Sequence, residues 1–477
     1  MYETLRDNGA MSVQDSPPPG RLAALKQAWR AVPRAALGNL IAKLLIVSLG
    51  LAITVLVARQ GPRVQGAFAL FVAVESALLT LFSGLGLWLA RQMSRQAAHP
   101  VGFPAGAPAR ALPMLRGVLR AAVGLGGVAS LVLVGLSWWA TTTPYSQLWL
   151  LALAAPFLLL VPTATGLWLG EGRMWPINVA QVAAPAAVLL GLAGAWWIQG
   201  DSQRSAPMVV LVLTAWVTGK SLVAVVTAFR ALRDADRRDA QVADALSASR
   251  LVDYWRPQPR WWNDAGFVAT IGLTNVVSLL NYRASLFLVE RFHGLATAGT
   301  YSVSVTVAEL LWLLSSSVTV SAYARIGHPD VRVASAMTVQ AVRINVLATL
   351  LAAPVLLVGA WWALPRVMGE AYAASLMPLA ALLPGVAAYA AASSLSAFYT
   401  NHLGRPQLSG GIAGLSLAVS FGLGLVLVPR LGALGAGLAS SLSYIVAITV
   451  AYGVFLRHAG LPVRALWTPS LTRGGEA

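Results

Sequence analysis

The sequence has no cysteine in its 477 residues, which excludes disulfides and thiolate metal ligands. Charge is scarce as well: 11% of residues are Asp, Glu, Lys or Arg, against about 25% in soluble domains. Acid is the rarer sign, with 17 acidic residues to 34 basic and a formal net charge of +17. Catalytic patterns are missing too. The histidines, His99, His293, His328, His402 and His458, fall in loops or tails and do not cluster. There is no HExxH pair and no GxxxxGK[ST] loop, so no enzyme chemistry, metal or cofactor is expected. The run from Gly432 to Gly437 is followed by no Gly-Lys and fits small-residue helix packing instead.

What fills the chain is apolar sequence: 57% hydrophobic residues and a mean hydropathy of +0.69. Runs of about twenty apolar residues match helices crossing a ~30 Å hydrocarbon core. Runs that long cannot alternate polar-in and apolar-out, so a membrane β-barrel is excluded. The expected fold is all-α and polytopic. Twelve spans are placed at about 37–58, 66–90, 117–139, 148–169, 178–198, 207–229, 265–289, 299–323, 341–363, 373–398, 409–428 and 434–456. Residues 1–36 read as a tail with a basic interfacial helix (Leu22, Leu25, Trp29 and Val32 among Arg21, Lys26, Arg30 and Arg34). Met1 to Gly20 has no apolar core and is not a signal peptide. The remaining units are 37–229, a solvated cytoplasmic linker with some helix at 230–264, 265–456 and a cytoplasmic tail at 457–477.

Loop charge orients these spans. Of the 34 basic residues, the loops on one side hold Arg59, Arg63, Arg204, Arg291, Arg366 and Arg430. Lys43, Lys220 and Arg283 lie inside spans, and the rest fall on the side of the chain ends. The positive-inside rule then puts both termini in the cytoplasm. Trp138-Trp139, Trp196-Trp197 and Trp361-Trp362 end spans on the opposite side, where indoles favour the headgroup level. The cations are spread over short loops, which suits anionic lipid heads rather than nucleic acid.

The two halves carry a faint repeat. Leu56-Val57-Ala58-Arg59 before Gly66-Ala67-Phe68 parallels Leu288-Val289-Glu290-Arg291 before Gly299-Thr300-Tyr301. Glu75 follows its glycine by nine residues and Glu309 by ten; Gly172-Arg173 parallels Gly404-Arg405, and Pro156 and Pro162 parallel Pro378 and Pro384. Two six-helix bundles related by an axis along the membrane normal are expected, with a substrate site between them.

The ionisable groups inside spans are Lys43, Glu75, Lys220, Arg283 and Glu309. A charge at the bilayer centre costs about 2.5–3.5 kcal/mol on the mildest scale, so such groups face a polar interior or pair with one another. Lys43 either snorkels to the interface or joins a cavity. Lys220 either pairs with a neighbouring helix or binds ligand. Arg283 and Glu309 sit at similar depth and either neutralise each other or line a pathway; the two roles are compatible.

Several stretches together carry a family resemblance. They are Ser278-Leu279-Leu280-Asn281-Tyr282-Arg283, Ala298-Gly299-Thr300-Tyr301-Ser302-Val303, Ala308-Glu309-Leu310-Leu311-Trp312, Leu403-Gly404-Arg405-Pro406, and the run from Val428 to Ser440. They resemble the polysaccharide biosynthesis (Wzx-type) flippases of the multidrug/oligosaccharidyl-lipid/polysaccharide (MOP) superfamily. The resemblance implies a flippase for undecaprenyl-diphosphate-linked oligosaccharide in the bacterial inner membrane. It would work by alternating access, coupled to H+ or Na+. It also implies a polysaccharide polymerase and a chain-length regulator as partners. On that reading Arg283, Lys220 and Lys43 bind the diphosphate, an arginine fork matching phosphate oxygens. Asn281, Asn275 and Tyr282 bond sugar hydroxyls, and Glu309 and Glu75 carry the coupling ion. A MATE-type drug antiporter shares the superfamily fold but should favour acidic and aromatic lining. A membrane polymerase or ligase should present a large outer loop, which this sequence lacks.

Overall fold

The structure, a computed structural model, describes residues 34–97, 110–199, 205–245 and 259–466. The expected tail and interfacial helix before Arg34, part of the 230–264 linker, the side chains of Trp196 and Trp197, and the chain beyond Leu466 lie outside the described residues. Within them the chain is 92% helix and has no strand.

The first half comprises α1 (Arg34–Ala58), α2 (Pro62–Leu81), α3 (Gly84–Ala97), α4 (Ala111–Trp139), α5 (Leu148–Leu158), α6 (Leu160–Gly170), α7 (Met174–Gln199) and α8 (Ser205–Ala245). The second half comprises α9 (Ala265–Glu309), α10 (Leu311–Ile326), α11 (Val331–Met368), α12 (Leu376–Tyr389), α13 (Ala392–Ala397) and α14 (Pro406–Ala459). Below, the near end is the one where α1 starts and α14 finishes; the far end is opposite.

Among the described residues ten stretches are long and apolar enough to cross a membrane. Two of them are too long for one crossing. The 54 residues of α14 would run about 80 Å as one helix, against a core of ~30 Å. Both α9 and α14 break at a glycine of positive φ, Gly294 (77°) and Gly432 (58°). Without a Cβ, glycine adopts this conformation freely, and the chain doubles back. Gly435 packs against the Leu427 carbonyl across the second reversal. Each of these helices is therefore two passes, and twelve passes result.

Two further passes are interrupted, one of them between its two prolines. The fourth pass is interrupted at Leu159, between Pro156 and Pro162, and the tenth at Ala390-Ala391, beyond Pro384. A proline ring inside a helix removes one backbone bond and clashes with the preceding turn.

Helix α8 runs sixteen residues beyond the expected end of the sixth span, into the stretch expected to be linker. Its polar residues hold it to the first half. Asp239 accepts hydrogen bonds from the backbone N–H groups of Ala111 (2.8 Å) and Leu112 (3.0 Å), closing the start of α4. Asp234 accepts from Trp168 Nε1 (3.0 Å) and pairs with Arg173 (3.1 Å).

The halves meet chiefly through α2 against α9. At the far end their backbones touch: a Cβ on Gly66 would collide with the Leu295 carbonyl, and one on Gly299 with that of Pro62. The two glycines that open matching passes of the repeat thus face each other. At the near end Gly84 packs on the Val268 carbonyl and Gly272 on that of Leu81. Side chains join them there: Trp88 Nε1 donates to Asp264 (2.7 Å) and Asn275 Nδ2 to Ser83 Oγ (3.2 Å). Between these two seams the halves separate and leave a cavity.

Candidate functional site: the cavity between the halves

The cavity has a volume of about 950 Å³ and takes its walls from α1 to α3, α5 to α8, both passes of α9 and the start of α10. Much of the wall is apolar, as expected where lipid-phase helices face one another. Its polar groups converge from both halves: Gln65, Trp216 and Lys220 from the first; Arg283, Ser302 and Glu309 from the second. Gln65 Nε2 bridges the halves, donating to Ser302 Oγ at 3.2 Å.

Each half brings one ion pair. In the first half Lys220 Nζ lies 2.5 Å from Glu75 Oε1, and Trp216 Nε1 donates to Glu75 Oε2 at 2.5 Å. Trp216 and Lys220 are four residues apart on α8, so both point from one face. The ammonium also sits 4.4 Å from the centroid of the Trp216 ring, within cation–π range. Glu75 is 0% exposed and Lys220 21%. A carboxylate this deep demands a partner, because an uncompensated buried ion costs several kcal/mol.

In the second half Arg283 Nη2 donates to Glu309 Oε2 at 3.2 Å, and the two are 32% and 26% exposed. Arg283 makes no other hydrogen bond among the described residues, so most of its five donors remain for a ligand. Behind this pair, rings of Tyr282, Trp312, Tyr389 and Tyr444 pack within 4.9–6.4 Å of one another. They make a stiff wall from which Tyr282 reaches the cavity.

Of the residues singled out in the sequence, Lys220, Tyr282, Arg283 and Glu309 line the cavity, and Glu75 is paired just behind its surface. Asn281 is not brought there. Successive helix residues are about 100° apart, so Asn281 shares the face of Ser285, which meets Ser420 and Ser440 inside the second half. Asn275 sits on the near seam, bonded to Ser83, which does line the cavity. Lys43 is exposed on α1, one turn toward the near end from Ile46 and Val47 of the wall, and outside the lining. Sequence reasoning missed Trp216, Gln65 and Ser302. The i, i+4 spacing of Trp216 and Lys220, and the position of Gln65 and Ser302 beside the repeat glycines, were the available signals.

A second cavity of about 980 Å³ lies between α1, the far-to-near pass of α9 with α10, and α11. Every residue lining it is apolar, and Leu51 and Leu310 belong to both cavities. A mixed polar chamber therefore adjoins a hydrocarbon-like groove. Among the described residues no cluster of His, Asp and Glu could hold a metal ion.

No family model matches the sequence, and no curated protein does. Solved structures do match the fold. An inward-facing multidrug resistance MATE family transporter of the MOP superfamily superposes with a TM-score of 0.64 at 16% identity, covering 89% of this chain and 96% of that one. The lipid II flippase MurJ in an inward closed conformation gives 0.64 at 14% identity, covering 89% and 88%. A MOP superfamily transporter from Pyrococcus furiosus, described as having a binding pocket of reversed polarity, gives 0.57 at 16%, covering 91% and 95%. The fold described above thus superposes on transporters and a flippase over most of its length: this chain is a multi-pass membrane protein of the MOP fold.

Proposed function

We propose that this protein is a flippase for a lipid-linked oligosaccharide with a diphosphate bridge, of the undecaprenyl-diphosphate class. It would act in a bacterial inner membrane with both termini in the cytoplasm, in the synthesis of a surface or exported polysaccharide. The observation that carries the proposal is the joining of two chemistries. Arg283 presents unused N–H donors to a 950 Å³ chamber, and that chamber shares Leu51 and Leu310 with a wholly apolar groove. A guanidinium fork suits phosphate oxygens. The groove suits a polyprenyl tail that never has to leave hydrocarbon. Lys220, held by Glu75, is a second cation at the wall.

The halves would open alternately at the near and far seams, and Glu309 and Glu75 are the groups for a coupling proton or sodium ion. A polysaccharide polymerase and a chain-length regulator would take the product. A second reading, a cation-coupled drug antiporter of the MATE type, is supported by Glu309 and by Trp216, an acid and an aromatic ring at the wall.

The test is reconstitution into vesicles. Movement of fluorescent undecaprenyl-diphosphate oligosaccharide between leaflets is expected. Failure of that movement, together with gradient-driven uptake of an organic cation such as ethidium, establishes the antiporter instead.

A further inference from the structure

At the near end of the first half, away from the central chamber, α4, α6 and α8 leave a groove of about 380 Å³ on the outer surface. Its floor is Leu119, Leu160 and Ala228, all buried; its walls are Val123 and Phe229, both exposed. Arg120 stands at its rim, exposed, with no hydrogen bond or ion pair among the described residues. Three nearby carboxylates are engaged elsewhere: Glu171 with Arg173 and Arg238, Asp234 with Arg173, Asp239 with the start of α4; Asp236, exposed, stands one turn outward from Leu232 on α8, beyond the groove. No carboxylate lines the groove.

Depth matters as much as charge. Arg120 falls a few residues inside the near boundary of the third span, and Phe229 at the boundary of the sixth. Arg116 lies one helical turn outward on the same exposed face of α4. Two guanidiniums therefore stand at headgroup level, and an apolar slot runs from them toward the bilayer centre. A zwitterionic headgroup would bring its own cation to these arginines. An anionic one brings only the complementary charge, and basic pockets between membrane helices are built for such heads.

The geometry points to a bound anionic phospholipid of the near leaflet, its phosphate on Arg120 and one acyl chain in the groove between α4, α6 and α8. The groove volume falls within the roughly 300–1,000 Å³ of ordinary small-molecule sites. Because the groove shares no lining residue with the chamber, the lipid would be a fixed part of the first half rather than cargo.

The experiment is native mass spectrometry of the full-length protein from mixed detergent with equimolar phosphatidylglycerol and phosphatidylcholine. Wild type is expected to retain phosphatidylglycerol preferentially. Arg120→Gln should lower that retention about fivefold, the equivalent of one juxtamembrane cation, and Arg120→Lys should keep most of it. Since Arg120 is exposed, its replacement leaves the core alone. Phe229→Ala, which removes a wall without touching charge, should lower retention of both lipids. Equal retention of the two lipids by wild type would overturn the proposal, as would full phosphatidylglycerol retention by Arg120→Gln.

Discussion

The two ion pairs of the chamber are built from the same carboxylate and different cations. Glu75 and Glu309 stand at nearly matching places in the repeat, on the second and eighth passes. Glu75 finds its cation 145 residues away on α8 and a second donor in Trp216. Glu309 finds its cation on the preceding pass of its own helix hairpin, with one hydrogen bond. In the first pair the acid is wholly buried and only the ammonium shows at the chamber wall; in the second both partners are open to the chamber. Burial of Glu75 makes the first pair costly to separate, because losing Lys220 strands a charge in a place water cannot reach. An open pair can exchange its partner for an incoming anion or proton at small cost. Repetition supplied two acids at nearly matching places, and burial gave them different surroundings.

The sharpest break in this comparison is Lys220→Met, which strands Glu75. It should destabilise the protein by about 3–5 kcal/mol, read as a large fall in unfolding temperature in detergent, and Glu75→Gln added to it should restore most of the loss. Next comes Arg283→Ala. At matched expression it should lower transport of the cognate glycan at least about tenfold, since a charge-assisted bond to phosphate is lost. Its unfolding should move by less than about 1 kcal/mol, as befits a partly solvated pair. Full transport by this variant would remove Arg283 from the site. Glu309→Gln should leave the protein folded and flatten the dependence of transport on the proton or sodium gradient in vesicles. The smallest effect belongs to Asn281→Ala, which should change transport by less than about twofold because that side chain faces away from the chamber.

The spans were legible because lipid imposes long apolar runs and no tertiary detail is needed to see them. The repeat glycines were visible too, and the structure adds that Gly66 and Gly299 are mutual contacts. Pairing across distance was not. Lys220 could be read as a partner for some neighbouring helix, but nothing in its own stretch named Glu75. Facing was lost where residues adjoin: Asn281, Tyr282 and Arg283 form one motif in sequence and point in different directions on a helix. The polar end of α8 looked like linker because Asp234 and Asp239 show their use only when Trp168, Arg173 and the start of α4 are beside them.

The contact between α2 and α9 at the far end sets what variation can do there. With glycine on both sides, there is no side chain left to trim, and every substitution at Gly66 or Gly299 adds bulk against backbone. At the near seam the bonds from Trp88 and Asn275 can be deleted singly. Random mutagenesis of this protein should therefore be lopsided: hits at the far contact act as wedges, hits at the near seam as cut ties. The two classes should bias the resting population toward opposite faces of the membrane.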